Sequence, residues 1–107
     1  MLNIQEEDLY EWVEPEKCEP PHKVTHPEFL RLLIKEFQEF GWRKGTVALL
    51  GYDFHNHIQL ISGSHRWAAA KVVGIKIPVV INSYDDVWQK WGSDEWVKMI
   101  SNSPIIY

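Results

Sequence analysis

Cysteine is nearly missing from this chain: one residue, Cys18, in 107. A lone thiol excludes an internal disulfide framework and a zinc site built from cysteines. Long apolar runs are missing as well, and none approaches the roughly 20 residues that span a bilayer. Positive charge is scarce. Eleven Lys and Arg stand against fifteen Asp and Glu, for a net charge of −4. That balance argues against bulk nucleic-acid binding and counts against a DNA-binding or nuclease domain. The opening residues Met1-Leu2-Asn3-Ile4-Gln5-Glu6-Glu7-Asp8 are acidic, the opposite of a secretory or transit signal, so a cytoplasmic location is expected. Neither internal repeats nor low-complexity tracts occur. With 45% apolar and 24% charged residues, the composition is that of one globular domain over residues 1–107. Aromatic residues are the exception to this scarcity, with six Trp in so short a chain.

Charge is unevenly spread. Residues 1–20 carry Glu6, Glu7, Asp8, Glu11, Glu14, Glu16 and Glu19 against Lys17 alone. Residues 21–82 are mildly basic, and residues 83–107 are acidic again. A mild positive field between acidic flanks suits a small anion better than a long duplex. The expected organisation is an acidic segment over 1–20, a core over about 21–82 and C-terminal helices over 83–101.

Apolar groups at Phe29, Leu30, Leu33, Ile34, Phe37 and Phe40 have helical spacing, with Pro27 before them and Gly41 after. Thr25 and Glu28 have the spacing of a capping box. Residues 46–50 are expected to be a strand, 51–56 a turn region, and 57–62 a hairpin partner with Ile58 and Leu60 on one face. A glycine turn and an alanine-rich helix over 67–73 follow. The next strand, 77–81, has Pro78 near its start or on an edge. Ser83 and Ser93 can each cap a short helix with acids in its first turn. This order predicts a small α+β domain, a short mixed sheet packed with helices.

The stretch Ile61-Ser62-Gly63-Ser64-His65-Arg66-Trp67 joins a strand to a helix start. Free backbone N–H groups and the helix dipole favour an anion there. Gly63 allows close approach, Ser64 can cap the helix or offer a hydroxyl, and Arg66 supplies a planar fork of donors. Together they describe a phosphate-binding turn.

The run ISGSHRWAAAKVVGIKIPVVI (61–81) resembles the second signature of the ParB/sulfiredoxin superfamily. ParB proteins carry a G-E-R-R-W-x-A-A run there, sulfiredoxins G-G-C-H-R, and free-serine kinases D-G-H-H-R. The upstream helix is also similar, as is the proline-containing loop Cys18-Glu19-Pro20-Pro21-His22-Lys23-Val24. The resemblance covers roughly residues 12–82. It implies a nucleotide, ATP or ADP in the manner of sulfiredoxin and serine kinase or CTP in the manner of ParB. The phosphates would lie at Gly63, Ser64, His65 and Arg66, helped by Lys23.

The departures narrow the chemistry. Sulfiredoxin's essential cysteine falls at Ser64, so thiol-based repair is excluded. The serine kinases have an acid in their first loop; Pro21-His22-Lys23 has none. A kinase or NTPase here needs another base, with Glu14, Glu16 and Glu19 as candidates. A carboxylate among them can also hold Mg²⁺ between phosphates. The chain lacks ParB's helix-turn-helix and dimerisation domains.

His55-x-His57 with Asp53 nearby has weak metal-site spacing and reads better as a polar hairpin tip, so no metal site is expected. Trp88 and Trp91 are three apart and Trp96 follows. They are either core or an exposed patch for a protein partner. The main expectation is a nucleotide-binding domain, an NTPase or small phosphotransferase. The alternative is a non-enzymatic interaction protein of a phage, plasmid or other mobile element. It would bind a basic host protein through Trp88, Trp91 and Trp96, with no membrane involved.

Overall fold

The structure, a computed structural model, describes residues 10–101, apart from the side chains of Trp96, Met99, Ile100 and Ser101. Five strands form one mixed sheet. They are β1 (Glu11–Val13), β2 (Cys18–Glu19), β3 (Leu49–Phe54), β4 (His57–Leu60) and β5 (Ile77–Asn82), in the order β1-β5-β3-β4-β2. β3 runs antiparallel to β4 and parallel to β5; β1 is antiparallel to β5, and β2 is parallel to β4. The helices are α1 (Pro27–Phe40), α2 (Ser64–Val73), α3 (Tyr84–Lys90) and α4 (Asp94–Ser101). The domain is α+β, as the sequence predicts. No helix among the described residues is long and apolar enough to cross a membrane.

Alternation along the strands gives the sheet two different faces. Leu49, Ile58, Leu60, Ile77 and Val79 form the main core with Leu33 and Phe37 of α1 and Ala69 and Ala70 of α2. The alanines let α2 approach closely, and a pair of helices covers this face. The opposite face carries Tyr52 and Phe54 and is partly covered by α3, whose Val87 is buried.

Several sequence expectations need correction. The strand expected at 46–50 instead spans Leu49–Phe54, and the turn shrinks to His55 and Asn56, both at positive φ. Gly51 is a strand residue: a Cβ there would meet Ile58 Cγ2 at 2.9 Å and the Gln59 carbonyl at 3.0 Å. It marks close strand packing, not a bend. The acidic segment is no detached flank. From Tyr10 onward it enters the sheet, as β1 on one edge and β2 on the other. Glu6, Glu7 and Asp8 lie outside the described residues. No capping box forms at α1: His26 is the N-cap, without a side-chain cap bond, and Pro27 opens the helix. Phe29 and Phe40 of its apolar stripe stay exposed. Pro78 is the second residue of β5, which is flanked on both sides. Ser83 does cap α3, its hydroxyl accepting from the Asp86 N–H at 3.1 Å.

Candidate functional site

The turn before α2 is held by glycine for two reasons. Gly63 has φ +88°, in the left-handed region. A Cβ there would also come within 2.4 Å of Leu49 Cδ2 in the core. Gly63 is the N-cap, and the Trp67 N–H donates to its carbonyl at 2.8 Å. The amides of Ser64, His65 and Arg66 therefore precede the first intrahelical bond and have no acceptor within the helix. No acid occupies the first turn of α2, so nothing there offsets the positive end of its dipole.

The loop over residues 20–26 lies across this helix end, tied to it twice. The His22 N–H donates to Ser64 Oγ at 3.3 Å, and the His26 N–H donates to His65 Nε2 at 3.1 Å. Ser64 is only 2% exposed, and its hydroxyl anchors the loop instead of capping the helix. Because an amide can only donate, His65 Nε2 carries no proton in this arrangement. The His65 ring stacks on His26 (5.7 Å between centroids) and lies 5.4 Å from Phe29 and 6.3 Å from His22. His22 Nδ1 donates in turn to the Lys23 carbonyl at 2.8 Å. Lys23 is exposed between the two tethered residues, and its ammonium has no ion-pair partner among the described residues.

Arg66 is placed less simply than the sequence suggests. Its guanidinium lies over the Trp42 ring, 5.6 Å from the centroid, and one N–H donates to the Val47 carbonyl at 3.1 Å. Burial pushes its pKa below the usual value. One bond uses one of five donors, so the fork remains able to meet an anion.

Glu14, Glu16 and Glu19 are exposed, and among the described residues none makes a side-chain bond to the turn. Glu14 and Glu16 flank Pro15, whose carbonyl accepts from Trp67 Nε1 at 2.8 Å. That bond ties their segment to the body of α2, while Glu19 sits on the β2 edge. Cys18 is 4% exposed within the core. Burial, with a smaller contribution from Glu16, pushes its thiol up to about 11. It is protonated and inaccessible, so it cannot replace the cysteine missing at Ser64.

Two site residues escaped the sequence reading. His26 has the spacing of an ordinary loop residue, yet it forms the second tether. Beside it opens a hollow of about 410 Å³, lined by His26, Pro27, Glu28 and Arg31. Arg31 lies outside the apolar stripe of α1, and nothing in its local pattern distinguishes it. At the hairpin tip, His57 Nδ1 donates to the His55 carbonyl at 3.3 Å. No group of three His, Cys, Asp or Glu among the described residues is placed to hold a metal.

No family model matches the sequence, and no curated protein matches it. Solved structures do. One is the C-terminally truncated chromosome-partitioning protein ParB from Caulobacter crescentus complexed with CTP-gamma-S. It matches at TM-score 0.58 and 22% identity, over 73% of this chain and 46% of that one. Sulfiredoxin from Arabidopsis thaliana matches at TM-score 0.58 and 16% identity, over 75% of this chain and 93% of that one. The chain has a ParB/sulfiredoxin-like fold. A free serine kinase in complex with AMP is also similar, at TM-score 0.56 and 22% identity, over 79% of this chain. The ParB/sulfiredoxin-like chain spans about half of the ParB structure, a third of the kinase and nearly all of the sulfiredoxin.

Proposed function

We propose that this ParB/sulfiredoxin-like domain binds the phosphates of a nucleoside di- or triphosphate at the Gly63–Arg66 turn. One observation carries the reading. Three amides without an intrahelical acceptor, at a helix start whose first turn holds no acid, lie under a loop that brings Lys23 beside them. Ser64 and His65 supply backbone donors, Arg66 a guanidinium and Lys23 a mobile charge. The fold supports the same ligand class, since similar structures hold CTP-gamma-S and AMP. ATP, ADP and CTP are the candidates, with Mg²⁺ between the phosphates of a triphosphate.

Binding needs only the turn and the loop. Turnover by an NTPase or small phosphotransferase also needs a carboxylate as base or metal ligand. Glu14, Glu16 and Glu19 are the candidates, each exposed and without a side-chain bond to the turn.

Calorimetry with ATP, ADP and CTP, with and without Mg²⁺, tests the reading. At least one should bind saturably, and Arg66→Ala should weaken it tenfold or more if each charge-assisted bond contributes about 1.5–3 kcal/mol. Absence of binding by all three at millimolar ligand rejects it. Bound nucleotide without turnover, with or without an acceptor such as serine, removes the enzyme and leaves the binding domain.

A further inference from the structure

The sheet face away from α1 and α2 carries a continuous row of aromatic rings that the nucleotide site does not use. Tyr84 of α3 lies 5.9 Å from Tyr52 and stacks on Phe54 at 5.5 Å and 24°. Trp88 follows at 5.8 Å from Tyr84, and Trp91 at 6.1 Å from Trp88. Tyr84 and Trp88 are four apart and share one face of α3, and Trp91 follows as its C-cap. They are 41%, 57% and 60% exposed, while Val87 alone on that helix is buried. Serial ring contact makes this one strip, not scattered surface aromatics.

The strip ends in a hollow on each side. At the hairpin tip an open hollow of about 450 Å³ is lined by Asp53, Phe54, His55, His57 and Lys17, among others. At the other end a groove of about 190 Å³ runs between Trp91, Tyr52, Gln59, Ile61 and Pro21.

Charge selects the occupant. Asp85 is exposed next to Tyr84 and meets no cation among the described residues. Asp86 is paired with Lys90 at 3.4 Å, which cancels that lysine. Asp94 and Glu95 open the next helix. Lys17 at the hairpin hollow is the remaining cation lining either hollow. Ring faces and carboxylates both attract cations. A single-stranded nucleic acid would gain stacking, but its phosphates would meet this acidic rim.

The geometry points to a docking strip for a basic segment of a partner protein. Its Arg or Lys side chains lie over Tyr84 and Trp88, and their head groups reach Asp85. Tyr84, Trp88 and Asp85 are none of the residues assigned to the nucleotide, so the proposal stands whether or not the chain binds one.

The test is NMR titration of the full chain with a blocked (Arg-Gly)4 peptide, beside (Glu-Gly)4 and an eight-residue oligothymidylate. Saturable shifts of the Trp88 and Trp91 indoles by the basic peptide alone are expected. Affinity should fall with added salt, and roughly three- to fivefold in each of Trp88→Ala and Asp85→Asn. Both positions are exposed, so the variants should fold as wild type does. Three results overturn the proposal: no saturable binding at millimolar basic peptide, equal binding by the oligonucleotide, or undiminished affinity in both variants. Self-association that Trp88→Ala abolishes, seen by sedimentation, would replace the basic partner with a second copy of this chain.

Discussion

The backbone N–H of His26 donates to Nε2 of His65 at 3.1 Å, joining residues 39 apart in sequence. This bond closes the 20–26 loop over the start of α2, and it requires an unprotonated Nε2. His65→Ala removes the acceptor. An exposed bond of this type contributes about 0.5–1.5 kcal/mol, so global stability should change little. Amide exchange at His26 should rise severalfold, while exchange in β3 and β5 stays unchanged. Equal protection of His26 in both proteins would show that the tether does not hold the loop.

Gly63 and Gly74 separate two costs that usually come together. Both have left-handed backbone, but only at Gly63 does a Cβ meet the core, 2.4 Å from Leu49 Cδ2. Gly74→Ala should lose about 1–2 kcal/mol from the backbone alone. Gly63→Ala should lose that amount plus overpacking of about 1–3 kcal/mol. Urea unfolding of the two variants checks this, and equal losses would contradict the packing at the turn.

The buried thiol of Cys18 gives a pH dependence with a definite sign. Its ordinary value of 9.0 is raised to about 11 in the fold. Between these values the unfolded chain has lost its proton while the folded chain retains it. Stability is therefore complete below about pH 9 and falls as pH rises toward 11, by about 2–3 kcal/mol from this group. Denaturation at pH 8 and pH 10.5 should show this extra loss in wild type but not in Cys18→Ala. At pH 8 the folded thiol should react with a disulfide reagent about a hundredfold more slowly than the unfolded chain.

Trp67 ties the N-terminal segment to α2 through its bond to the Pro15 carbonyl at 2.8 Å. Trp67→Phe keeps a ring but leaves that carbonyl without its donor, at a cost of about 1–3 kcal/mol. Exchange should rise in β1 and β2 first. Uniform loosening of the whole sheet would mean that the bond is not what pins this segment.

Much of the fold was legible because its signals are periodic. The stripe from Leu30 to Phe37 and the run from Gly63 to Gly74 specify α1 and α2 from local spacing alone. β1 and β2 were not legible. At three and two residues, with Glu11 and Glu19 among them, they are too short for alternation to register, and partners remote in sequence create them. Gly51 misled for a physical reason, since a glycine required by Ile58 across the strand looks like one required by a turn. At the site, the glycine turn that opens α2 was legible in Gly63–Arg66. The three-imidazole cluster of His22, His26 and His65 was not, because it depends on the path of a loop without periodicity. Nor could spacing show that Arg66 rests on Trp42 and bonds to Val47. Of the tryptophans read as either core or contact surface, Trp88 and Trp91 are exposed; the Trp96 side chain lies outside the described residues.

The central claim concerns three amides, and they can be observed one by one. In a ¹⁵N-resolved titration with ATP, ADP or CTP, the amides of Ser64, His65 and Arg66 should show the largest shifts, with those of His22 and Lys23 following. Shifts that saturate there and vanish in Arg66→Ala are the predicted result. Saturable shifts elsewhere, with these three amides unmoved, would contradict the account.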